Sequence, residues 1–261
     1  MREVVDVKPW FGANWKMHKT VREAREYVAR WNSLVEESPL GEEVEVVLFP
    51  PFTALAAVGE ALVGASLGAQ DVYPEDKGAF TGEISPLMLA ELGVRYVLVG
   101  HSERRHILGE EDAFLRRKFD ALVARGFVPV LCVGETAEER RAGRTEEVLL
   151  RQLEGVLGGR EAFPGSFVVA YEPVWAIGTG TPANPEDAAQ AVARIRTYLH
   201  GRFGAAAEDV PVVYGGSVDP ENVGGFVRTG VSDGALVGSK SLEADVFYRL
   251  VRNALEAWRR G

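Results

Sequence analysis

Short apolar runs of strand length alternate with longer amphipathic segments along this chain, and that strict alternation limits the fold more than any other feature. The runs are Trp10 to Ala13, Val44 to Phe49, Ala65 to Ala69, Tyr96 to Val99, Val128 to Val133, Phe167 to Ala170, Val210 to Val213 and Ala235 to Val237. The segments between them carry helix-start signals. Thr20-Val21-Arg22-Glu23 has the spacing of a capping box, and Ser85-Pro86, Asn184-Pro185 and Asp219-Pro220 each set an N-cap residue before a proline at the first helical position. Helical crossovers make the strands parallel, and parallel strands are buried on both faces or close on themselves. Eight such units over 261 residues, without a linker or low-complexity break, predict one α/β domain spanning 1–261, a (β/α)8 barrel. A doubly wound open sheet satisfies the same alternation, because periodicity does not count closure.

Charge narrows the partners. With 29 basic and 38 acidic residues the formal net charge is −9, which argues against nucleic acid or an anionic membrane surface. A small anionic substrate stays compatible where the binding site is locally positive. Cys132 is the sole cysteine, so no intrachain disulfide can form and a reducing compartment is expected. Met1 to Pro9 lacks an apolar core of signal-peptide length, and no apolar run approaches the ~20 residues that span a bilayer. The expectation is a soluble cytoplasmic protein.

Catalytic groups of a barrel come from the C-terminal ends of its strands. After the first strand stand Asn14 and Lys16, after the fourth His101, Ser102 and Glu103, after the sixth Glu172, after the seventh Gly215-Gly216-Ser217, and after the eighth Gly238-Ser239. Glu172 ends an apolar strand and precedes a loop with proline at one end and Gly178 and Gly180 at the other. A fixed carboxylate under a hinged cover suits a general base, although taken alone the segment also reads as an ordinary connection with a solvated glutamate. His101 precedes the helix-like Ser102-Glu103-Arg104, whose positive end favours a neutral, hydrogen-bond-donating imidazole. The glycines after strands seven and eight let main-chain amides approach an anion, and the fold places a phosphate site there; tight turns are the other use of such glycines. Lys16 adds positive charge. Cys132 reads as a packed thiol, and His18, His106 and His200 as surface or packing residues. Gly178-Thr179-Gly180-Thr181-Pro182-Ala183 is too far from its strand to serve as a dinucleotide loop. No metal-ligand cluster or cofactor motif is present, so neither metal nor cofactor is expected.

With these residues assembled, the chain resembles the triosephosphate isomerase family over nearly its whole length. The resemblance rests on Asn14-Trp15-Lys16-Met17, Gly78 to Glu83, Gly100 to Arg105, Cys132 to Glu135, Ala170 to Gly180, Tyr214 to Val218 and Leu236-Val237-Gly238. It implies interconversion of dihydroxyacetone phosphate and D-glyceraldehyde 3-phosphate through an enediolate, in glycolysis and gluconeogenesis. On that resemblance Glu172 is the base, neutral His101 the electrophile, and Lys16 and Asn14 stabilise the developing charge. Glu103 orients Lys16, with Ser102 beside it, and Gly178, Ser217, Gly238 and Ser239 hold the phosphate. The loop Pro173 to Thr181 closes over the substrate, with Trp175 and Ile177 as its apolar packing. Gly78 to Glu83, with Thr81, inserts into a partner near Asn14 and Glu103 of the partner subunit, which implies at least a homodimer with Met17 at the contact. Two departures stand out: Gly238-Ser239-Lys240 replaces the family's usual Gly-Gly-Ala, and His18 stands where asparagine is common. Another phosphate-binding barrel, such as an aldolase or epimerase, and a catalytically silent binding barrel remain as alternatives.

Overall fold

Residues 7–176, 183–228 and 230–260 are described in the computed structural model of the chain. The strands are β1 (Trp10–Asn14), β2 (Glu45–Phe49), β3 (Ser66–Ala69), β4 (Tyr96–Val99), β5 (Val128–Val133), β6 (Val168–Tyr171), β7 (Val212–Tyr214) and β8 (Gly234–Val237). They pair in sequence order, all parallel, and β1 pairs with β8, so the sheet is a closed barrel rather than an open one. Helices cover its outside, among them Val21–Glu37, Asp112–Val123, Thr145–Leu157, Pro185–Phe203 and Ala244–Trp258. No helix among the described residues is long and apolar enough to cross a membrane.

Helix starts follow local chemistry. Thr20 and Glu23 form the reciprocal capping box, the Ser85 hydroxyl accepts from the Met88 N–H, and the Asn184 side chain accepts from the Asp187 N–H. Asp219 departs from expectation. Its carboxylate accepts from the N–H groups of Glu221 and Asn222 and so caps a turn, and the short helix Val223–Phe226 begins only after it. β7 also starts later than the apolar run suggests. Val210 donates its N–H back to Ala207 in a turn, and Pro211 has none to give, so the ladder begins at Val212.

Period-two alternation divides the strand residues between two cores. Trp10, Val47, Phe49, Tyr96, Leu98, Val130, Cys132, Val168, Ala170, Val213 and Leu236 fill the barrel interior. Their neighbours Phe11, Ala13, Leu48, Val97, Leu131, Val169, Val212 and Val237 face the helices. Trp10 reaches across the interior to Tyr96 and Phe49, at ring-centroid distances of 5.9 and 6.2 Å. Gly12 makes room for it: a Cβ there would lie 2.6 Å from the Trp10 ring and 2.8 Å from Leu236 Cδ1. We expect Gly12→Ala to lower unfolding free energy by about 1–3 kcal/mol through overpacking, read from the denaturation midpoint. An unchanged midpoint would show that the interior has slack at this layer.

Candidate active site

A cavity of about 600 Å³ opens at the C-terminal mouth of the barrel. Asn14, Lys16, His101, Glu172, Ser217, Gly238 and Ser239, all expected from the sequence, line it together. Ser102 and Glu103 stand just behind. Gly178, Ile177, Thr179, Gly180 and Thr181 lie outside the described residues.

Glu172 continues the inward file of β6, two residues beyond Ala170, and its own N–H extends the ladder to the Val133 carbonyl at 2.8 Å. Its side chain is 1% exposed. Oε2 accepts from the Ser102 N–H at 2.8 Å, and Oε1 lies 3.1 Å from His101 Nε2. Two glycines leave the space: a Cβ at Gly215 would lie 2.8 Å from Glu172 Cγ, and one at Gly134 would lie 1.7 Å from the Glu172 carbonyl oxygen. The Gln152 amide bonds both the N–H and the C=O of Gly134, at 2.8 and 3.2 Å, and holds that close approach in place.

His101 follows Gly100, whose φ of +72° turns the chain sharply off β4 in a conformation suited to glycine. The imidazole caps the helix Ser102–His106, with Nδ1 accepting from the Glu103 N–H at 3.3 Å. Glu103 Oε2 lies 3.5 Å from the same nitrogen. A main-chain N–H can only donate, so Nδ1 is the acceptor and the ring proton belongs on Nε2, facing Glu172.

Lys16 has φ +52°, an uncommon value for a side-chain-bearing residue. Three bonds hold it there. Its N–H donates to Asn14 Oδ1 at 3.0 Å, its carbonyl accepts from Gln70 Nε2 at 2.8 Å, and its Nζ donates to Glu103 Oε1 at 2.6 Å. Gln70 also donates to the Phe49 carbonyl at 2.9 Å and so ties the first loop to the second strand end. Gln70 was not among the site residues expected from the sequence. Its signal was available, as a polar residue immediately after the third apolar run.

The Ser217 hydroxyl donates to the Ala176 carbonyl at 2.6 Å, joining the seventh loop to the 3-10 turn Val174–Ala176. Trp175 in that turn does more than pack. Its Nε1–H donates to Glu135 at 2.9 Å, and the Arg140 guanidinium lies 4.2 Å above its ring. Glu135 is fully buried and also accepts from the Tyr171 hydroxyl. Burial and the adjacent Glu135 carboxylate push the Tyr171 phenol above its ordinary value, which keeps it a donor. Cys132 is a buried thiol inside the barrel, as expected, and burial pushes it well up. His18 is exposed, as expected, and it also lines the cavity, as does Lys240.

The match to known proteins agrees with this geometry. The family model described as triosephosphate isomerase covers residues 9–254. The chain belongs to the triosephosphate isomerase family. It is 49% identical over 250 residues to the triosephosphate isomerase of Nitratidesulfovibrio vulgaris strain Miyazaki F, covering 94% of this chain and 99% of that one. It is 47% identical over 247 residues to that of Moorella thermoacetica, with 94% and 98% covered, and 46% identical over 241 residues to that of Aquifex aeolicus, with 92% and 96% covered. The closed barrel is accordingly the TIM barrel of that family. For a family member built this way, ¹⁵N NMR of His101 at neutral pH is expected to show a protonated Nε2 and a bare Nδ1. The opposite tautomer would overturn the reading of Nδ1 as acceptor from the Glu103 N–H.

Proposed function

We propose that the chain, acting as one domain over residues 1–261, interconverts dihydroxyacetone phosphate and D-glyceraldehyde 3-phosphate by proton transfer through an enediolate. The observation that carries this reading is the buried carboxylate of Glu172 facing the His101 Nε2–H at 3.1 Å in the mouth of the barrel. One N–H makes one strong hydrogen bond. A substrate carbonyl that takes the His101 proton donor therefore displaces Glu172 Oε1, and the freed carboxylate is beside the carbon acidified by that same carbonyl. Glu172 removes the proton from one carbon and returns it to the next, while His101 serves the two oxygens in turn. Lys16 and Asn14 stabilise the charge that develops on oxygen, with Glu103 fixing the Lys16 ammonium. Ser217, Gly238 and Ser239 approach the phosphate, and the family likeness adds Gly178 and closure of the loop Pro173 to Thr181. Such closure matters because a water-exposed enediolate ejects phosphate. The reaction belongs to glycolysis and gluconeogenesis.

In a coupled assay with D-glyceraldehyde 3-phosphate the chain is expected to turn over substrate, and absence of activity would overturn the reading. Glu172→Asp, which withdraws the base by one methylene, should lower kcat by about 10²-fold or more with KM little changed. His101→Gln should lower kcat by a larger factor than it changes KM.

The exposed segment Gly78 to Glu83 and the Met17 side chain, 95% exposed, are best covered by a second copy of the chain. Phe80 packs against Tyr73 with the ring centroids 4.2 Å apart and stiffens that loop. Light scattering is expected to give at least a dimer, and Thr81→Arg, which puts charge at the loop's tip, should shift it towards monomer. A monomeric parent chain would remove this partner from the reading.

A further inference from the structure

We propose that Lys240 is a phosphate-binding residue of this site, a second cation that the dianionic end of the substrate meets beside Gly238 and Ser239. The proposal rests on the isomerase reading for its substrate, and on the charges around the cavity for its chemistry.

The charged side chains lining the cavity are Lys16, Lys240, Glu172 and Asp219. Lys16 is already engaged, with its ammonium 2.6 Å from Glu103 Oε1. Asp219 faces its own turn, its Oδ1 accepting from two main-chain N–H groups. Lys240 has no carboxylate within salt-bridge distance among the described residues. With Glu103 counted against Lys16, the lining without Lys240 is negative, in a chain whose net charge is −9. A doubly charged phosphate entering such a mouth needs an uncommitted cation near its landing point.

The backbone puts one there. Lys240 sits in the 3-10 turn Ser239–Ser241 directly after β8. Ser241, fully buried, donates its hydroxyl to the carbonyls of Val237 and Gly238 at 3.0 and 2.7 Å, and its N–H to the Gly238 carbonyl at 2.8 Å. The turn is therefore fixed from below while the Lys240 side chain is exposed above. Gly238 also borders Lys16: a Cβ at Gly238 would lie 3.6 Å from Lys16 Cε. The two lysines thus flank the same glycine, one committed to Glu103 and one uncommitted.

The test is steady-state kinetics of the full chain with D-glyceraldehyde 3-phosphate, comparing the parent, Lys240→Ala and Lys240→Arg. For Lys240→Ala a rise in KM of about three- to ten-fold is expected with kcat nearly unchanged, the size of an exposed charge pair acting on a dianion. The inhibition constant of inorganic phosphate should rise by a similar factor. Lys240→Arg should restore both. The difference should shrink towards nothing near 1 M salt, where screening acts within ~3 Å. Unphosphorylated glyceraldehyde should be handled alike by parent and variant. Unchanged KM and phosphate inhibition in Lys240→Ala would overturn the role of Lys240 while leaving the isomerase intact. If the parent shows no isomerase activity, the functional reading fails on its own. Direct binding of inorganic phosphate to parent and Lys240→Ala then decides the anion site, with equal affinities overturning it.

Discussion

Each strand of a closed barrel sends alternate side chains inward, and on β6 the inward file is Val168, Ala170 and then Glu172. The first two are packed among the other strands and cannot turn, so the third is delivered to the mouth with a fixed backbone. Everything else at the site is arranged around that carboxylate. Gly134 and Gly215 on the flanking strand ends keep clear of it, Ser102 gives it an N–H, and His101 faces it. The same file explains its burial. A carboxylate that is 1% exposed would be costly without partners, and here both oxygens have one.

The helix that presents Ser102 and Glu103 has a charged foundation of its own. Arg104 on that helix and Lys118 from Asp112–Val123 both engage Asp71 and Glu110, with Lys118 buried at 1% exposure. Burial raises the Asp71 carboxyl despite its two cations. Burial would also raise Glu110, but hydrogen bonds from Arg104 and Lys118 outweigh it and hold Glu110 below its ordinary value. Two cations against two carboxylates leave the cluster near neutrality. Such a cluster is weak evidence for net stability, but it specifies geometry. It locks the loop after β3, which carries Gln70 as well as Asp71, to the helix that carries Glu103. Gln70 and Glu103, together with Asn14, hold Lys16 in its left-handed conformation.

What could be read in the sequence was whatever period and punctuation encode. The eight strands followed from apolar runs bounded by turn residues, and the placement of Glu172, His101, Lys16 and Asn14 around one cavity followed because each stands at or just past a strand end. Closure was not legible, since the β1 to β8 pairing is a contact between residues more than two hundred positions apart. Gln70 was missed because a lone amide after an apolar run looks like any turn residue until its partners on Lys16 and Phe49 are known. His18 looked like surface, and the part played by Lys240 was not legible, for the same reason: lining a cavity is a property of several loops together.

Glu135 and its partners fix the backbone on both sides of Glu172. Tyr171 ends β6, and Trp175 sits four residues on, yet both donate to the one buried carboxylate of Glu135. The chain between them, which includes Glu172 and Pro173, is therefore tied at both ends to the segment just after β5, and the Val174 N–H adds a third tie through the Glu135 carbonyl. Displacing this stretch would break three hydrogen bonds to a buried residue with no access to compensating water. On the proposed reading of Glu172 as the base, that fixed backbone is what the role needs. A base's reach to a reacting carbon is set to within about an ångström, so a carboxylate mounted on a tied stretch of chain keeps its position better than one on a free loop.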